Sequence, residues 1–260
     1  MYCEFWQNEA KTDKTYSFWQ DAVASFYASH SVPESDVSVT LGGSLLVGDN
    51  LYVSFFTICE GFIQRWLNGI VCFSKTTGLL LGMRTFAYSL GPFANYGPSP
   101  SICVNGGYIY TPDTNYDATQ GIIRITPISF ESAVAVSLGS GRTIAMAAYA
   151  GADRFYGVYY NVAIPAGAQN LYLAVFEHGA TSAKHTVNLP LRRIMNYAVN
   201  AQVKMVIYRG KLVIWFRTTW NDTGADEYRR FTCDPLTGAI EKNETGTFSN
   251  NTSEITIVES

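Results

Sequence analysis

The stretch SLLVGDNLYVSFF at residues 44–56 contains a short apolar run, a tight turn with a glycine, and a second apolar and aromatic run. The same pattern returns as SICVNGGYIYT at residues 101–111, IAMAAYAGADRFYGVYY at 144–160 and VKMVIYRGKLVIWF at 203–216. The turn glycines, Gly48, Gly106, Gly151 and Gly210, follow one another at a period of about 50 residues, which predicts an array of similar supersecondary units.

Each copy continues with a polar loop, a third apolar run and a second turn, as in SKTTGL from Ser74 and DPLTGA from Asp234. We therefore expect four antiparallel strands per copy, A to D, joined by hairpin turns in which glycine supplies the positive φ. No sustained apolar stripe at helical spacing is present. At most one short helical turn is expected, within residues 192–201.

The two ends of the chain together supply a fifth copy. The first 28 residues contain the runs MYCEFWQ, KTYSFWQ and AVASFYA, which predict strands B, C and D, and residues 253–260, SEITIVES, supply the missing strand A. Radial arrays of four-stranded sheets are β-propellers. Over essentially its whole length the chain resembles a five-bladed β-propeller, with the first blade closed by strands from both termini.

This resemblance implies one all-β domain over residues 1–260. Its blades are expected at about 1–30 plus 253–260, 37–90, 100–139, 142–190 and 201–248. The alternative fold is a β-sandwich or jelly roll, whose strands have a similar spacing.

Composition excludes several classes of partner. Charged residues make up only 15% of the chain and the net charge is −3, so the basic surface of a nucleic-acid-binding protein is missing. No apolar run approaches the roughly 18 residues of a membrane-spanning helix, and we expect no membrane insertion. The N-terminal sequence has neither the basic nor the apolar region of a signal peptide,.

The two ends of the predicted blades differ in the length of their connections. Turns A–B and C–D are tight, whereas the B–C loops and the connectors between blades are long, and we call their side the long-loop face. Long loops on a rigid scaffold carry most binding residues. Aromatic rings beside amide and guanidinium groups suit a sugar, which stacks on the rings and exchanges hydrogen bonds with the polar groups. The expected ligand-binding residues are Trp66, Asn95, Tyr96, Tyr116, Arg192, Tyr197 and Trp220.

Catalysis is the weaker expectation. A glycoside hydrolase needs two facing carboxylates, and only Glu34, Asp36 and Glu254 are candidates. The five cysteines and three histidines show no zinc-ligand spacing, so neither a metal nor a cofactor is expected.

The sequence therefore favours a non-enzymatic, lectin-like module that binds a glycan or a host-surface receptor. A virion-surface or extracellular setting is expected. The second hypothesis is a structural virion or assembly protein that packs against other virion proteins, and the third is a glycoside hydrolase.

Overall fold

The computed structural model describes residues 2–3, 6–7, 10–11, 16–17, 37–59, 65–89, 102–112, 121–138, 141–161, 169–193, 202–219 and 226–247. Near the N-terminus lie four two-residue strands: β1 (Tyr2–Cys3), β2 (Trp6–Gln7), β3 (Ala10–Lys11) and β4 (Tyr16–Ser17). The remaining strands form four antiparallel sheets, each built from four consecutive strands.

We number these sheets as blades 2 to 5. Blade 2 contains β5 (Val37–Val47), β6 (Asn50–Cys59), β7 (Arg65–Ser74) and β8 (Leu80–Ser89). Blade 3 contains β9 (Cys103–Asn105), β10 (Tyr108–Pro112), β11 (Gly121–Ile125) and β12 (Ser132–Ser137). Blade 4 contains β13 (Gly141–Tyr149), β14 (Arg154–Asn161), β15 (Gln169–Glu177) and β16 (His185–Arg193). Blade 5 contains β17 (Gln202–Tyr208), β18 (Lys211–Thr219), β19 (Asp226–Cys233) and β20 (Ile240–Thr247).

The first strand of each blade lies beside the first strand of the next. Strand β9 contacts both β5 and β13, and β13 also contacts β17. Apolar clusters fill the spaces between neighbouring blades: one joins blades 2 and 3, a second joins blades 3 and 4, and a third joins blades 4 and 5. The chain is therefore a β-propeller, not the pair of facing sheets that makes a β-sandwich.

The N-terminal strands match the predicted first blade only in part, because the run predicted as strand B is divided between β1 and β2. Strand β1 pairs antiparallel with β4, with Tyr2 opposite Ser17, and these strands fall in the runs predicted as B and C. Between them β2 and β3 form a small antiparallel pair that the sequence did not predict. The closing strand at residues 253–260 lies outside the described residues, so the split blade and the blade limits stay predictions.

In three of the four copies, the glycine of the A–B turn has the positive φ that the sequence predicted. Gly48 has φ +60°, Gly106 has φ +54° and Gly210 has φ +72°, conformations that cost a residue with a Cβ about 1–2 kcal/mol. In blade 4 the prediction was wrong, because Gly151 lies in a 3-10 turn, Ala150–Ala152, and Asp153 takes the positive φ of +48°. Asp tolerates this region because its short polar side chain can hydrogen-bond locally.

Most strands reach further toward the long-loop face than the sequence predicted. Strand β7 begins at Arg65, although the apolar pattern placed its start near Gly69. Strand β16 ends at Arg193, so Arg192 and Arg193 continue a strand and do not begin a helical turn. Backbone pairing with the neighbouring strand extends these ends beyond the apolar runs, and such pairing leaves no signature in side-chain hydrophobicity.

A buried tyrosine recurs at the third position of the second strand in three successive blades. These residues are Tyr52, Tyr110 and Tyr156, each at most 1% exposed, and the equivalent residue of blade 5 is Val213. The hydroxyl of Tyr156 donates a hydrogen bond of 2.8 Å to the carbonyl oxygen of Pro235, in the C–D turn of blade 5. The Tyr52 hydroxyl makes no hydrogen bond of comparable geometry among the described residues, although Cys72, Ile128 and Asn50 lie near it. Burial, together with the Cys72 thiol, raises the pKa of Tyr52 to about 12.

This difference predicts unequal losses for the same substitution. Tyr156→Phe should lower the free energy of unfolding by about 1–2 kcal/mol, because it leaves the buried Pro235 carbonyl without its donor. Tyr52→Phe should cost clearly less or be neutral, because it removes a buried hydroxyl that makes no hydrogen bond of good geometry,. Urea unfolding of the two variants beside the parent protein measures both effects, and equal losses in the two variants would contradict the assignment of a hydrogen bond to Tyr156 alone.

Candidate functional site

The two ends of the blades are connected differently. At the tight-turn end, the paired strands are joined across residues 48–49, 106–107, 150–153 and 209–210, and across 75–79, 126–131, 178–184 and 234–239. At the opposite end, the connections span residues 60–64, 90–102, 113–120, 162–168, 194–201 and 220–225, with a short one at 138–140. The predicted difference in length is present only in part. The A–B turns span two to four residues, and the connections of eight residues or more between described strands, 90–102, 113–120 and 194–201, lie at the long-loop end. The C–D turns were predicted to be tight, but at five to seven residues they are about as long as the B–C loops, which span five to eight.

Two of the seven predicted binding residues lie in described strands. Trp66 is the second residue of β7 and pairs with Tyr88 of β8. Arg192 is the penultimate residue of β16 and pairs with Asn170 of β15. Both were predicted in loops, and both lie instead at strand ends, because the ladders extend further than the apolar pattern.

These two positions belong to different blades. Trp66 lies in blade 2 and Arg192 in blade 4, so blade 3 separates them, although both strand ends belong to the long-loop face. The other predicted binding residues, Asn95, Tyr96, Tyr116, Tyr197 and Trp220, lie outside the described residues.

The geometry gives the hydrolase hypothesis no support. The candidate carboxylates Glu34, Asp36 and Glu254 all lie outside the described residues. The described innermost strands β5, β9, β13 and β17 contain neither Asp nor Glu. Within this part of the chain, no carboxylate pair faces the propeller axis from the inner strands.

A charged cluster that the sequence analysis did not single out lies at the tight-turn end of blade 4. Glu177 accepts a hydrogen bond of 2.8 Å from Nη1 of Arg154, and it also pairs with Lys184. Lys184 and Arg154 hold the pKa of Glu177 below its usual range. A carboxylate stabilised in its ionised form in this way is a poor general acid, so we assign the cluster a structural role.

Beside this cluster, His178 joins blades 3 and 4. Its backbone N–H donates to the carbonyl oxygen of Asp153, and its ring packs against Gly106 of the A–B turn in blade 3. The imidazole ring of His178 also stacks on the ring of Tyr108, with 6.2 Å between the two centroids. The guanidinium of Arg124 lies over the Tyr108 ring, 4.6 Å from its centroid. Asn105 completes the junction, because its amide donates to the carbonyl oxygen of Arg154 at 3.2 Å.

The described thiols are unsuited to nucleophilic catalysis. Cys72, Cys103 and Cys233 are free and buried. Burial raises the pKa of Cys233 to about 12 and also raises the pKa values of Cys72 and Cys103. The reactive thiolate is therefore scarce at neutral pH.

The described residues also bear on metal binding and membrane insertion. Among them, no group of three or more His, Cys, Asp or Glu side chains is arranged to hold a metal ion. No helix in this part of the chain is both long enough and apolar enough to span a membrane.

Comparison with known proteins supports no assignment finer than the fold. No family model and no curated protein matches the sequence. Among solved structures, the chain is similar to the β-propeller domain of the Trilobed protease from Pyrococcus furiosus, with 10% identity, a TM-score of 0.43, and coverage of 83% of this chain and 58% of that one. It is also similar to the acylaminoacyl peptidase of Pyrococcus horikoshii, with 8% identity, a TM-score of 0.45, and coverage of 82% and 33%.

A third similar structure is a chain of the Nidogen/Laminin complex, with 10% identity, a TM-score of 0.42, and coverage of 91% of this chain and 86% of that one. The chain thus spans between a third and three fifths of the length of the two Pyrococcus proteins. At such identities the similarity concerns the fold alone, and the assignment as a propeller rests on the sheet topology described above.

Proposed function

We propose that this propeller is a non-enzymatic binding module that recognises a glycan through its long-loop face. The observation that carries the proposal is the difference between the two ends of the blades. One end is joined by turns of two to seven residues, most of them with a glycine at positive φ. The other end carries the three connections of eight residues or more between described strands. Binding residues concentrate in long connections on a rigid scaffold.

The tight-turn end is occupied by contacts that hold the propeller together. Tyr156 reaches the C–D turn of blade 5 there, and His178 packs on the A–B turn of blade 3. The side chains that make these contacts are largely buried or already paired, so they are not free to meet a ligand. Exposed apolar side chains, among them Leu79 and Ile128, also lie at this end, but they lack the polar groups that a sugar needs, which favours the opposite end for glycan recognition.

The chemistry of the long-loop face supports a sugar as the ligand. Its sequence segments include the aromatic residues Tyr96, Tyr116, Tyr197 and Trp220, and Trp66 pairs with Tyr88 at the strand ends of blade 2. Asn95 and Arg192 add planar polar groups. Aromatic rings contribute about 1 kcal/mol each to such contacts, so affinity arises from several of them together.

The test is glycan binding by the double variant Tyr96→Ala/Trp220→Ala. The parent protein should bind a subset of glycans on a broad array. Loss of two aromatic contacts of about 1 kcal/mol each should weaken binding by about 30-fold. Titration calorimetry with the strongest glycan measures the change.

The matched control is Tyr208→Ala, which removes a half-buried tyrosine at the tight-turn end. It should leave glycan affinity unchanged, and circular dichroism should show that all variants are folded. If the control and the double variant lose affinity equally, recognition by the long-loop face is contradicted. If the folded parent binds no glycan, the result favours the structural hypothesis. In that hypothesis the long-loop face packs against another virion or assembly protein.

The setting that fits such a module is a virion surface or another extracellular site where it meets a host-surface receptor. The composition supports this setting, because the chain is poor in charge and contains 17 tyrosines. Binding of the parent protein to host cells, with loss after enzymatic removal of surface glycans, checks this part of the proposal.

A further inference from the structure

The strand ends of blade 4 bring three arginines to one end of a single sheet. Arg142 is the second residue of the innermost strand β13 and pairs with Tyr160, the penultimate residue of β14. Arg192 and Arg193 end the outermost strand β16 and pair with Asn170 and Gln169 of β15. All three arginines therefore lie at the long-loop end of the blade.

No acidic residue balances these arginines within the same segments. Residues 138–145, 158–173 and 189–203, which form or adjoin this end of the blade, contain no Asp and no Glu. The described carboxylates of blade 4, Asp153 and Glu177, lie at its tight-turn end. A protein of net charge −3 thus concentrates positive charge at one end of one blade.

The neighbouring blades carry the opposite charge in the corresponding segments. The B–C segment of blade 3 contains Asp113 and Asp117. That of blade 5 contains Asp222, and β19 begins with Asp226 and Glu227. An anionic ligand would be repelled by these segments and attracted to blade 4.

The spacing of the strands sets the size of such a ligand. Three inter-strand steps separate β13 from β16, which corresponds to about 14 Å at the usual strand spacing. Adjacent residues of a strand lie on opposite faces of the sheet, so Arg192 and Arg193 lie on different faces. Arg193 is placed on the face of Arg142 by the register, because Arg142 pairs with Tyr160, Tyr160 with Leu171, and Arg193 with Gln169, two residues before Leu171. A guanidinium binds one carboxylate or sulfate through paired hydrogen bonds, and Arg142 and Arg193 lie too far apart to share one, so each suits a group of its own.

We propose that the long-loop end of blade 4 binds an acidic glycan that carries at least two carboxylate or sulfate groups, one held by Arg193 and another by Arg142, with Arg192 adding positive charge at the same end of the sheet. Asn161, Gln169 and Asn170 lie at the same strand ends of blade 4, and their amides would supply hydrogen bonds for the sugar hydroxyls. This inference rests on the proposed function and specifies that the glycan is negatively charged.

The experiment uses an array in which each acidic glycan is printed beside a neutralised partner, either its methyl ester or its desulfated form. Acidic forms should bind at least tenfold more tightly than their partners. The variant Arg142→Gln/Arg192→Gln/Arg193→Gln should lose this preference, and raising the salt concentration should weaken binding of the acidic forms to the parent, because dissolved ions screen exposed charges.

The control is the variant Lys75→Gln/Arg209→Gln/Lys242→Gln, which changes the net charge equally at positions away from the long-loop end. It should retain the preference for acidic glycans. If the arginine variant retains it too, or if the parent binds both forms equally, the inference is wrong while glycan binding stands. If the folded parent binds neither form, the inference and the proposed function fail together.

Discussion

Phe155→Ala is expected to lower the free energy of unfolding by about 3–5 kcal/mol, the usual range for a buried aromatic residue truncated in a core. Phe155 is 1% exposed and lies between two other buried rings. Its centroid is 4.3 Å from that of Tyr110 in blade 3 and 4.8 Å from that of Phe176 in blade 4. The substitution would leave a cavity in the apolar cluster that joins these two blades.

Urea unfolding followed by tryptophan fluorescence and circular dichroism measures this loss. Phe155→Leu should cost less, because it keeps more of the side-chain volume. Tyr159→Ala is the matched control in the same strand, since Tyr159 is half-buried and stacks on Tyr172 at 5.4 Å. A loss in Phe155→Ala no larger than that in Tyr159→Ala would contradict the central place of Phe155 in the core.

Gly106→Ala is expected to lower the free energy of unfolding by about 2–4 kcal/mol, through two separate causes. The first is the positive φ of +54° at this position, which an alanine adopts only with strain. The second is the imidazole of His178, which occupies the space that a Cβ at Gly106 would need. The ring comes from the C–D turn of blade 4, so the substitution should push blades 3 and 4 apart at this turn.

The neighbouring glycine separates these two causes. Gly107 has φ +80°, and no atom lies within 4 Å of a Cβ built there. Gly107→Ala should therefore show the conformational cost alone, about 1–2 kcal/mol. In a His178→Ala background the excess loss of Gly106→Ala over Gly107→Ala should disappear. Persistence of the excess in that background would show that His178 is not its cause.

The sequence predicted the fold because the repeat is expressed in several independent signals. Alternating apolar runs, glycine turns such as Gly106 and Gly210, and the DPLTGA turn all fall where strands meet. The same signals failed at Gly151, where a longer turn places Asp153 at positive φ. They also missed the strand ends at Arg65 and Arg193, because backbone pairing there continues beyond the apolar residues.

The sequence predicted at which end of the blades the candidate site lies, but not which residues lie together there. Loop lengths alone indicated which end of the blades carries the long connections. That Arg142 lies at the same end of blade 4 as Arg192 and Arg193 could not be read from local sequence, because 50 positions separate residues 142 and 192 and only the strand register brings them to one end. The junction of His178 with Gly106 was equally hidden, since no local pattern relates a histidine to a glycine in the preceding blade.

The apolar clusters that join neighbouring blades have a consequence for how such a chain can be rearranged. Each cluster takes its residues from two sheets, so a repeat cut out of the chain would lose half of the interior on either side. Excision of one repeat should therefore unfold its neighbours, whereas circular permutation through a long connection keeps every interface intact. Duplication or loss of a repeat therefore has to preserve the apolar contact between two successive repeats, because each repeat supplies only half of that contact.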